Sequence, residues 1–118
     1  MAATKSSVTL LTSQALAAST AVNATELNLS TAYGALVCVL LTNGATAPTT
    51  APVVQFFVGE ATGKKRLFYT ASGDTVNSSV NSINCDMPLD AMFVNVTITN
   101  GATNGITVEA YAQETTGI

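Results

Sequence analysis

The seven carboxylates are the residues of this chain best suited to chemistry, because it contains no histidine. They are Glu26, Glu60, Asp74, Asp86, Asp90, Glu109 and Glu114. Without an imidazole, neither a Ser-His-Asp triad nor a Cys-His pair can form, and imidazole ligation of a metal is excluded. No glycine-rich loop has the Lys-Ser/Thr ending that cradles phosphates. We therefore predict a protein that is not an enzyme and that has no catalytic residue, cofactor or metal.

Asp86 and Asp90, in the segment NCDMPLD, are the two carboxylates closest in sequence. Together with Asn84 they offer oxygen ligands of the kind that Ca²⁺ accepts, and a carboxylate pair can also perform acid–base catalysis. Pro88 lies between them and favours a plain turn between two strands. Nothing else in the sequence supports either chemical alternative, so we interpret the segment as a turn.

The only basic cluster is Lys64-Lys65-Arg66, between GEATG and LFYTA. A hairpin turn containing Gly59 and Gly63 is expected there. The cluster is either a solvated turn or a contact for an acidic patch on a partner, and it is our only candidate assembly contact. The net charge of −3 argues against nucleic-acid binding, which requires a basic face to neutralise phosphates.

Cys38 and Cys85 are the only cysteines. Cys38 lies within the apolar run ALVCVLL, so its side chain is predicted to be buried as a small hydrophobe. Two widely separated cysteines in an apparently cytosolic product favour free thiols over a disulfide. The N-terminal segment has too broken an apolar stretch for a secretory signal, and no segment has the roughly 18 apolar residues of a membrane span.

Alternating polarity and turn residues divide the chain into about eight strands. The strand segments are SVTLLTSQ, ATELNLS, GALVCVLLT, TAPVVQFFVG, KRLFYTAS, TVNSSVNSINC, AMFVNVTIT and GITVEAYAQ. Regularly spaced short strands predict an all-β fold, an antiparallel, jelly-roll-like β-sandwich formed by one domain, residues 1–118. Residues 1–7 are interpreted as a flexible or neighbour-contacting N-terminal arm, and SQALAAST as a linker or a short helix.

Two strands have the clearest face assignment. Met92, Val94, Val96 and Ile98 are predicted to face the core beside Ile106 and Val108, whereas the residues between them, Phe93, Asn95 and Thr97, face the other way. GALVCVLLT is apolar at every position, which indicates a central strand covered on both faces. The weak, polar TVNSSVNSINC is interpreted as an edge strand.

The pentapeptide TNGAT occurs twice, beginning at Thr42 and at Thr99, each time after an apolar run. Asn-Gly between alternating strands is a strong signal for a type I′ hairpin turn, in which both residues have positive φ. The second copy is predicted to be such a hairpin, and the first to open a longer loop. We interpret the repeat as one strand exit used twice rather than as a binding motif.

The stretches LSTAYGALVCVLLTNGATAP and LDAMFVNVTITNGATNGITVEAYAQETTGI resemble small structural proteins of tailed-bacteriophage virions. The resemblance covers about half of the chain and departs in the middle, at VGEATGKKRLFY. It implies a capsid decoration or cement subunit, or a related head or tail accessory protein, located in the virion and made in the cytoplasm of the host bacterium. The implied partner is the major capsid protein or another virion protein, with no role for nucleic acid or membrane.

The charge content agrees with that resemblance. Charged residues make up only 9% of the chain, against roughly 25% in typical soluble domains, which suggests a surface largely covered by partners. We therefore expect a homo-oligomer, with a trimer favoured. The alternative function is a fibre- or tail-associated module that binds a receptor or carbohydrate, for which Tyr33, Tyr69 and Tyr111 are the candidate contacts.

Overall fold

The computed structural model describes residues 3–118 and contains strands but no helix in that range. The strands are β1 (Thr4–Leu16), β2 (Ala21–Asn23), β3 (Leu27–Asn28), β4 (Ala35–Asn43), β5 (Val53–Gly59), β6 (Lys65–Ser72), β7 (Val80–Met87), β8 (Phe93–Thr99) and β9 (Ile106–Gly117). All eight predicted segments contribute a strand. SQALAAST, interpreted as a linker or short helix, instead continues β1 as far as Leu16, and the unpredicted β2 follows it. Residues 3–118 contain no membrane-spanning helix.

The strands form two antiparallel sheets packed face to face. One sheet has the order β1-β9-β4-β7, and the other has the order β2-β8-β5-β6 with β3 also paired to β8. Because β2 and β3 share one position beside β8, each sheet has four strand positions. Most consecutive strands lie in opposite sheets, which is the winding of a jelly roll. The predicted fold class, an antiparallel jelly-roll sandwich of about eight strands, is confirmed.

Alternation along β8 and β9 builds much of the core. Val94, Val96 and Ile98 of β8 are at most 1% exposed, and every second residue of β9 from Ile106 to Ala112 is buried. Successive side chains of a strand point to opposite faces, so this spacing delivers an unbroken apolar surface to the interior. The face assignment of these two strands is confirmed.

Met92 is the exception, because its side chain is 40% exposed. The alternation ends one residue before β8 begins: Ala91 is buried instead, and the Met92 carbonyl accepts a hydrogen bond from the amide of Leu29 (2.6 Å). The prediction that Met92 belongs to the core face was wrong, because periodicity was extended into a turn that does not have strand geometry.

β4 is central within its sheet, between β9 and β7, but only one of its faces is covered. Val37, Val39 and Leu41 are fully buried, whereas Leu36 is 38% exposed and Cys38 is only partly buried. The predictions that both faces of β4 are covered and that Cys38 is buried were therefore wrong. An apolar run indicates a buried strand without showing whether one layer or two layers cover it.

Both cysteines are free thiols, as predicted. Cys85 pairs in register with Val37 and faces the core, whereas Cys38 pairs with Asn84 and faces outward. Neighbouring side chains on opposite faces of a sheet cannot form a disulfide without backbone movement. Burial, with the nearby negative charge of Asp86, raises the pKa of the Cys85 thiol.

Both copies of TNGAT connect one sheet to the other, from β4 to β5 and from β8 to β9. Neither Asn-Gly pair has a positive φ, so the predicted type I′ hairpin at the second copy was wrong. Hairpin signals in sequence are local and do not report that the following strand joins the other sheet. The interpretation of the repeat as the same strand exit used twice agrees with this arrangement.

The two exits also bond to each other at one end of the sandwich. The amide of Thr49 donates to the carbonyl of Ala102 (2.9 Å), and the amide of Ala102 donates to the Thr50 hydroxyl (2.8 Å). The two loops approach so closely that a Cβ on Gly101 would lie 1.7 Å from the Thr50 carbonyl oxygen. Glycine is required there for space rather than for turn geometry.

The asparagines of the two copies are the buried polar residues of the fold, Asn43 at 3% and Asn100 at 4% exposure. The Asn100 side-chain amide donates to the carbonyls of Leu16 (3.1 Å) and Asn104 (2.9 Å), and its oxygen accepts from the amide of Gly101 (2.7 Å). Loop carbonyls removed from water need such partners, so Asn100 holds the loops together.

The proposed N-terminal arm, residues 1–7, is mostly part of the sheet. Residues 4–7 pair with the C-terminal part of β9, from Thr4 opposite Gly117 to Ser7 opposite Gln113, with one register shift between Thr4 and Lys5. Met1 and Ala2 lie outside the described residues. β7, built from the polar segment TVNSSVNSINC, is an edge strand, as predicted.

Candidate interaction site at the β5–β6 hairpin

The basic cluster lies at the turn between β5 and β6, which pair with each other as expected for a hairpin. Two glycines make the turn. A Cβ on Gly59 would lie 2.2 Å from the carbonyl oxygen of Lys64. Gly63 has a φ of +82°, a backbone angle that residues other than glycine rarely adopt. The hairpin can therefore turn tightly and present residues 60–66 at the end of the sandwich.

The structure divides the three basic residues between two roles. Lys65 forms an ion pair with Glu26, which lies between β2 and β3, and its side chain is only 10% exposed. The hydroxyl of Thr62 donates to the other oxygen of Glu26 (2.9 Å). The Lys65 ammonium and the Thr62 hydroxyl hold the pKa of the Glu26 carboxyl below its usual value. Lys65 thus fixes the hairpin to the neighbouring loop and is not a free cation.

Lys64 and Arg66 instead line a cleft of about 380 Å³ beside the hairpin. The turn of residues 88–92 forms the opposite wall. Two carboxylates line the same cleft, Glu60 from the hairpin and Asp90 from the turn. The cleft is therefore a mixed-charge recess rather than a purely basic one.

Apolar side chains complete the cleft. Leu67 is 51%, Phe68 49% and Met92 40% exposed, and all three line the recess. Interfaces between proteins commonly combine an apolar centre with a polar rim. This arrangement suits the binding of a protein segment that offers both a charged and an apolar side chain.

Sequence reasoning missed the apolar part of this cleft. The signal was present in LFY, because three consecutive large apolar residues on a regular strand place apolar side chains on both of its faces, so at least one of them points away from the core. The structure shows why: the register of β5 with β6 shifts between Phe56 and Phe57, which pair with Tyr69 and Leu67 and leave Phe68 as the extra residue. Such a bulge re-aims side chains at a sheet edge.

The other candidate residues do not converge on a site. Asp86 and Asp90 line different recesses, and residues 3–118 contain no cluster of three potential metal ligands from His, Cys, Asp or Glu. Tyr33 precedes β4, Tyr69 lies on the edge strand β6 with its ring 5.9 Å from that of Phe56, and Tyr111 lies on the outer side of β9. The three tyrosines do not form one aromatic platform.

No protein-family model matches the chain, and no curated protein sequence matches it. Solved structures do share its fold. A structure from the disulfide-linked pili of Bacillus endospore appendages aligns with 100% of this chain and 93% of its own, at 18% identity and a TM-score of 0.58. The SPBc2 prophage-derived protein YomS aligns over 96% of both chains, at 15% identity and a TM-score of 0.53.

A viral protein also shares the fold. A chain of infectious bursal disease virus, Gx strain, aligns with 94% of this chain at 8% identity and a TM-score of 0.59. The aligned region spans about a third of the viral chain, 31%. At these identities the similarities show a common β-sandwich fold and do not by themselves establish a family.

Proposed function

We propose that this chain is a non-enzymatic structural protein of a tailed-phage virion, a decoration or cement subunit that binds the outside of the head lattice. The observation that carries the proposal is the cleft at the β5–β6 hairpin. Two of the four basic residues of an acidic chain, Lys64 and Arg66, line this cleft together with half-exposed apolar side chains. The partner is the major capsid protein or another virion protein.

The mechanism is mechanical. Lys64 and Arg66 meet carboxylates of the partner, while the apolar wall formed by Leu67, Phe68 and Met92 is removed from water. Burial of apolar surface stabilises a complex by about 25 cal/mol per Å² before the costs of association are subtracted. Repetition of one modest contact over many equivalent lattice positions stabilises the shell without any single tight site.

The full-length similarity to a prophage-derived protein supports this assignment, as does the resemblance of the TNGAT-containing segments to small virion proteins. The low charge content supports a subunit whose surface is shared with neighbours. The proposal includes a location in the virion after synthesis in the host cytoplasm, and assembly there as a homo-oligomer.

The test is binding to purified phage heads that lack the subunit, measured by co-sedimentation. Wild type is expected to bind at a fixed stoichiometry, and Lys64→Glu with Arg66→Glu to bind at least tenfold more weakly. Lys5→Glu is the matched control, because Lys5 is an exposed basic residue on β1 that does not line the cleft. It is expected to bind like wild type.

Two results would contradict the proposal. Equal binding by the cleft variant and by wild type would show that the lattice contact lies elsewhere. Absence of binding to heads, together with glycan or receptor binding that requires Tyr33, Tyr69 or Tyr111, would instead establish the fibre- or tail-associated binding module.

A further inference from the structure

The four sheet edges of this sandwich are not equally protected against pairing with another strand. β2 and β3 are only three and two residues long. β1 has three register shifts against β9. β6 begins with Lys65 and Arg66 and has a bulge. Short length, bulges and cationic residues are the usual ways in which edge strands avoid association.

β7 has none of these protections. It pairs with β4 over eight consecutive residues, Val80–Met87, without a register shift. It contains no proline, lysine or arginine, and Asp86 is its only charged residue. Among the described strands β7 is therefore a long, regular and unprotected edge.

The hydrogen-bonding groups of this edge can be assigned from the register. The amide of Asn43 donates to the carbonyl of Ser79 (2.9 Å), at the end of the β4–β7 ladder. Because bonding alternates along an antiparallel strand, the odd-numbered residues of β7 bond to β4. The even-numbered residues point their N–H and C=O groups away from the sheet, and none of these groups bonds to another described loop. They are Val80, Ser82, Asn84 and Asp86.

Among the described residues, the side of the sandwich formed by the two edge strands β7 and β6 is not closed by main-chain hydrogen bonds. At the opposite side, the amide of Thr25 donates to the carbonyl of Leu10 (2.9 Å), which joins the β1 edge to the β2–β3 segment. No main-chain hydrogen bond joins β6 to β7 among residues 3–118. Tyr69, Val76 and Val80, on these two edges and the loop between them, are 46%, 60% and 61% exposed.

We propose that β7 pairs with β7 of a second copy of this chain, as an antiparallel ladder centred on Ile83. A second copy is the occupant because an eight-residue unprotected edge matches only itself in length and regularity among the edges described. Centring on Ile83 pairs Ser82 with Asn84 of the second copy, and Val80 with Asp86 of the second copy. Every outward N–H and C=O group of β7 then has a partner.

The direction of the side chains and the distribution of charge both agree with this register. Residues of the same face are opposed, so the two cores lie on the same side of one continuous sheet. The two Asp86 carboxylates lie six positions apart along the ladder, about 20 Å at the rise of a β-strand, which exceeds the screening length of about 8 Å at physiological ionic strength.

This pairing gives a two-fold dimer rather than the trimer favoured from charge content and resemblance, and it does not depend on which surface the protein decorates. Light scattering during gel filtration over a concentration series is the first measurement. Wild type is expected to show twice the monomer mass, falling towards the monomer mass on dilution. A monomer at every concentration, or a trimer, would overturn the proposal.

Asn84→Pro is the sharpest variant. It removes an outward N–H without removing a β4–β7 hydrogen bond, which is the one setting in which an edge strand tolerates proline. It is expected to weaken dimerisation at least tenfold while the urea midpoint of the dilute monomer stays close to that of wild type. Asn84→Thr keeps the N–H and is expected to dimerise like wild type. A proline variant that still dimerises with wild-type affinity would refute the β7 contact.

Amide hydrogen exchange of the wild type decides the matter even if the proline variant does not fold. The amides of Val80, Ser82, Asn84 and Asp86 are expected to be protected at high concentration and to lose protection on dilution, whereas those of odd-numbered residues stay protected throughout. Fast exchange of all four at concentrations that give a dimer would place the contact elsewhere. Lys64→Glu with Arg66→Glu is expected to dimerise normally, so this proposal and lattice binding fail independently.

Discussion

Alanine substitution of the equivalent glycine in each copy of TNGAT is expected to have opposite consequences. At Gly101 a Cβ would lie 1.7 Å from the Thr50 carbonyl oxygen, so the two loops must separate by well over 1 Å to reach a normal contact. At Gly44 the nearest atoms are 4.0 Å away and φ is not positive, so a methyl group fits. The local sequence is identical, and only the packing differs.

The magnitude follows from the contacts that separation would break. Among the hydrogen bonds that join the loops, the two nearest to Gly101 in sequence run between main-chain donors and the other loop, from Thr49 to Ala102 and from Ala102 to Thr50. At roughly 1 kcal/mol for each bond and about 1–3 kcal/mol for overpacking, Gly101→Ala should reduce the free energy of unfolding by about 3–5 kcal/mol. Gly44→Ala should change it by less than about 0.5 kcal/mol, or raise it by up to about 1 kcal/mol through the unfolded state.

Urea unfolding followed by circular dichroism measures both variants against wild type, at a protein concentration where all are monomeric. The slope with urea should stay the same, so that the midpoints report stability. Similar midpoints for the two variants would refute the reasoning, because they would mean that the loops do not meet at Gly101. A loss of more than 2 kcal/mol at Gly44 would refute it equally.

Three further substitutions test the interior and the loops. Asn100→Ala should lower the free energy of unfolding by about 2–3 kcal/mol, because it leaves two carbonyls and an amide without partners. The control Asn95→Ala, on the outer side of β8, should lower it by less than about 0.5 kcal/mol. Equal losses for the two variants would contradict the role of Asn100. Val96→Ala should lower the free energy of unfolding by about 1–3 kcal/mol, because the side chain is only 1% exposed. A loss below roughly 0.5 kcal/mol would contradict its burial. Hydrogen bonds from the Val76 amide and the Ser79 hydroxyl lower the pKa of Asp74. The stability it contributes is therefore present above the ordinary pKa of 3.8 and is lost as pH falls through the lower folded-state value. The difference in unfolding midpoint between wild type and Asp74→Asn should shrink as the pH falls below about 4, and a constant difference from pH 7 to pH 2 would show that the charge of Asp74 does not stabilise the fold.

The candidate site was only half visible in the sequence. Charge is a property of residue type, so the cluster Lys64-Lys65-Arg66 could be identified at once, and the flanking glycines indicated its hairpin. The pairing of Lys65 with Glu26 depends on the packing of β3 beside β8, and the cleft depends on where the turn of residues 88–92 comes to rest. No local pattern reports contacts between segments so far apart along the chain.

The sequence by itself determined eight of the nine strands, the inward faces of β8 and β9 and the two strand exits, because side-chain alternation and turn chemistry act over a few residues. Val94, Val96 and Ile98 could be assigned to the core for this reason. Only the tertiary structure decided which sheet each strand joins, and it therefore decided that Asn100 and Gly101 form a crossing between sheets rather than a hairpin. It also decided which face of β4 is covered and which sheet edge is left unpaired. These features arise from long-range packing, which depends on the whole chain at once.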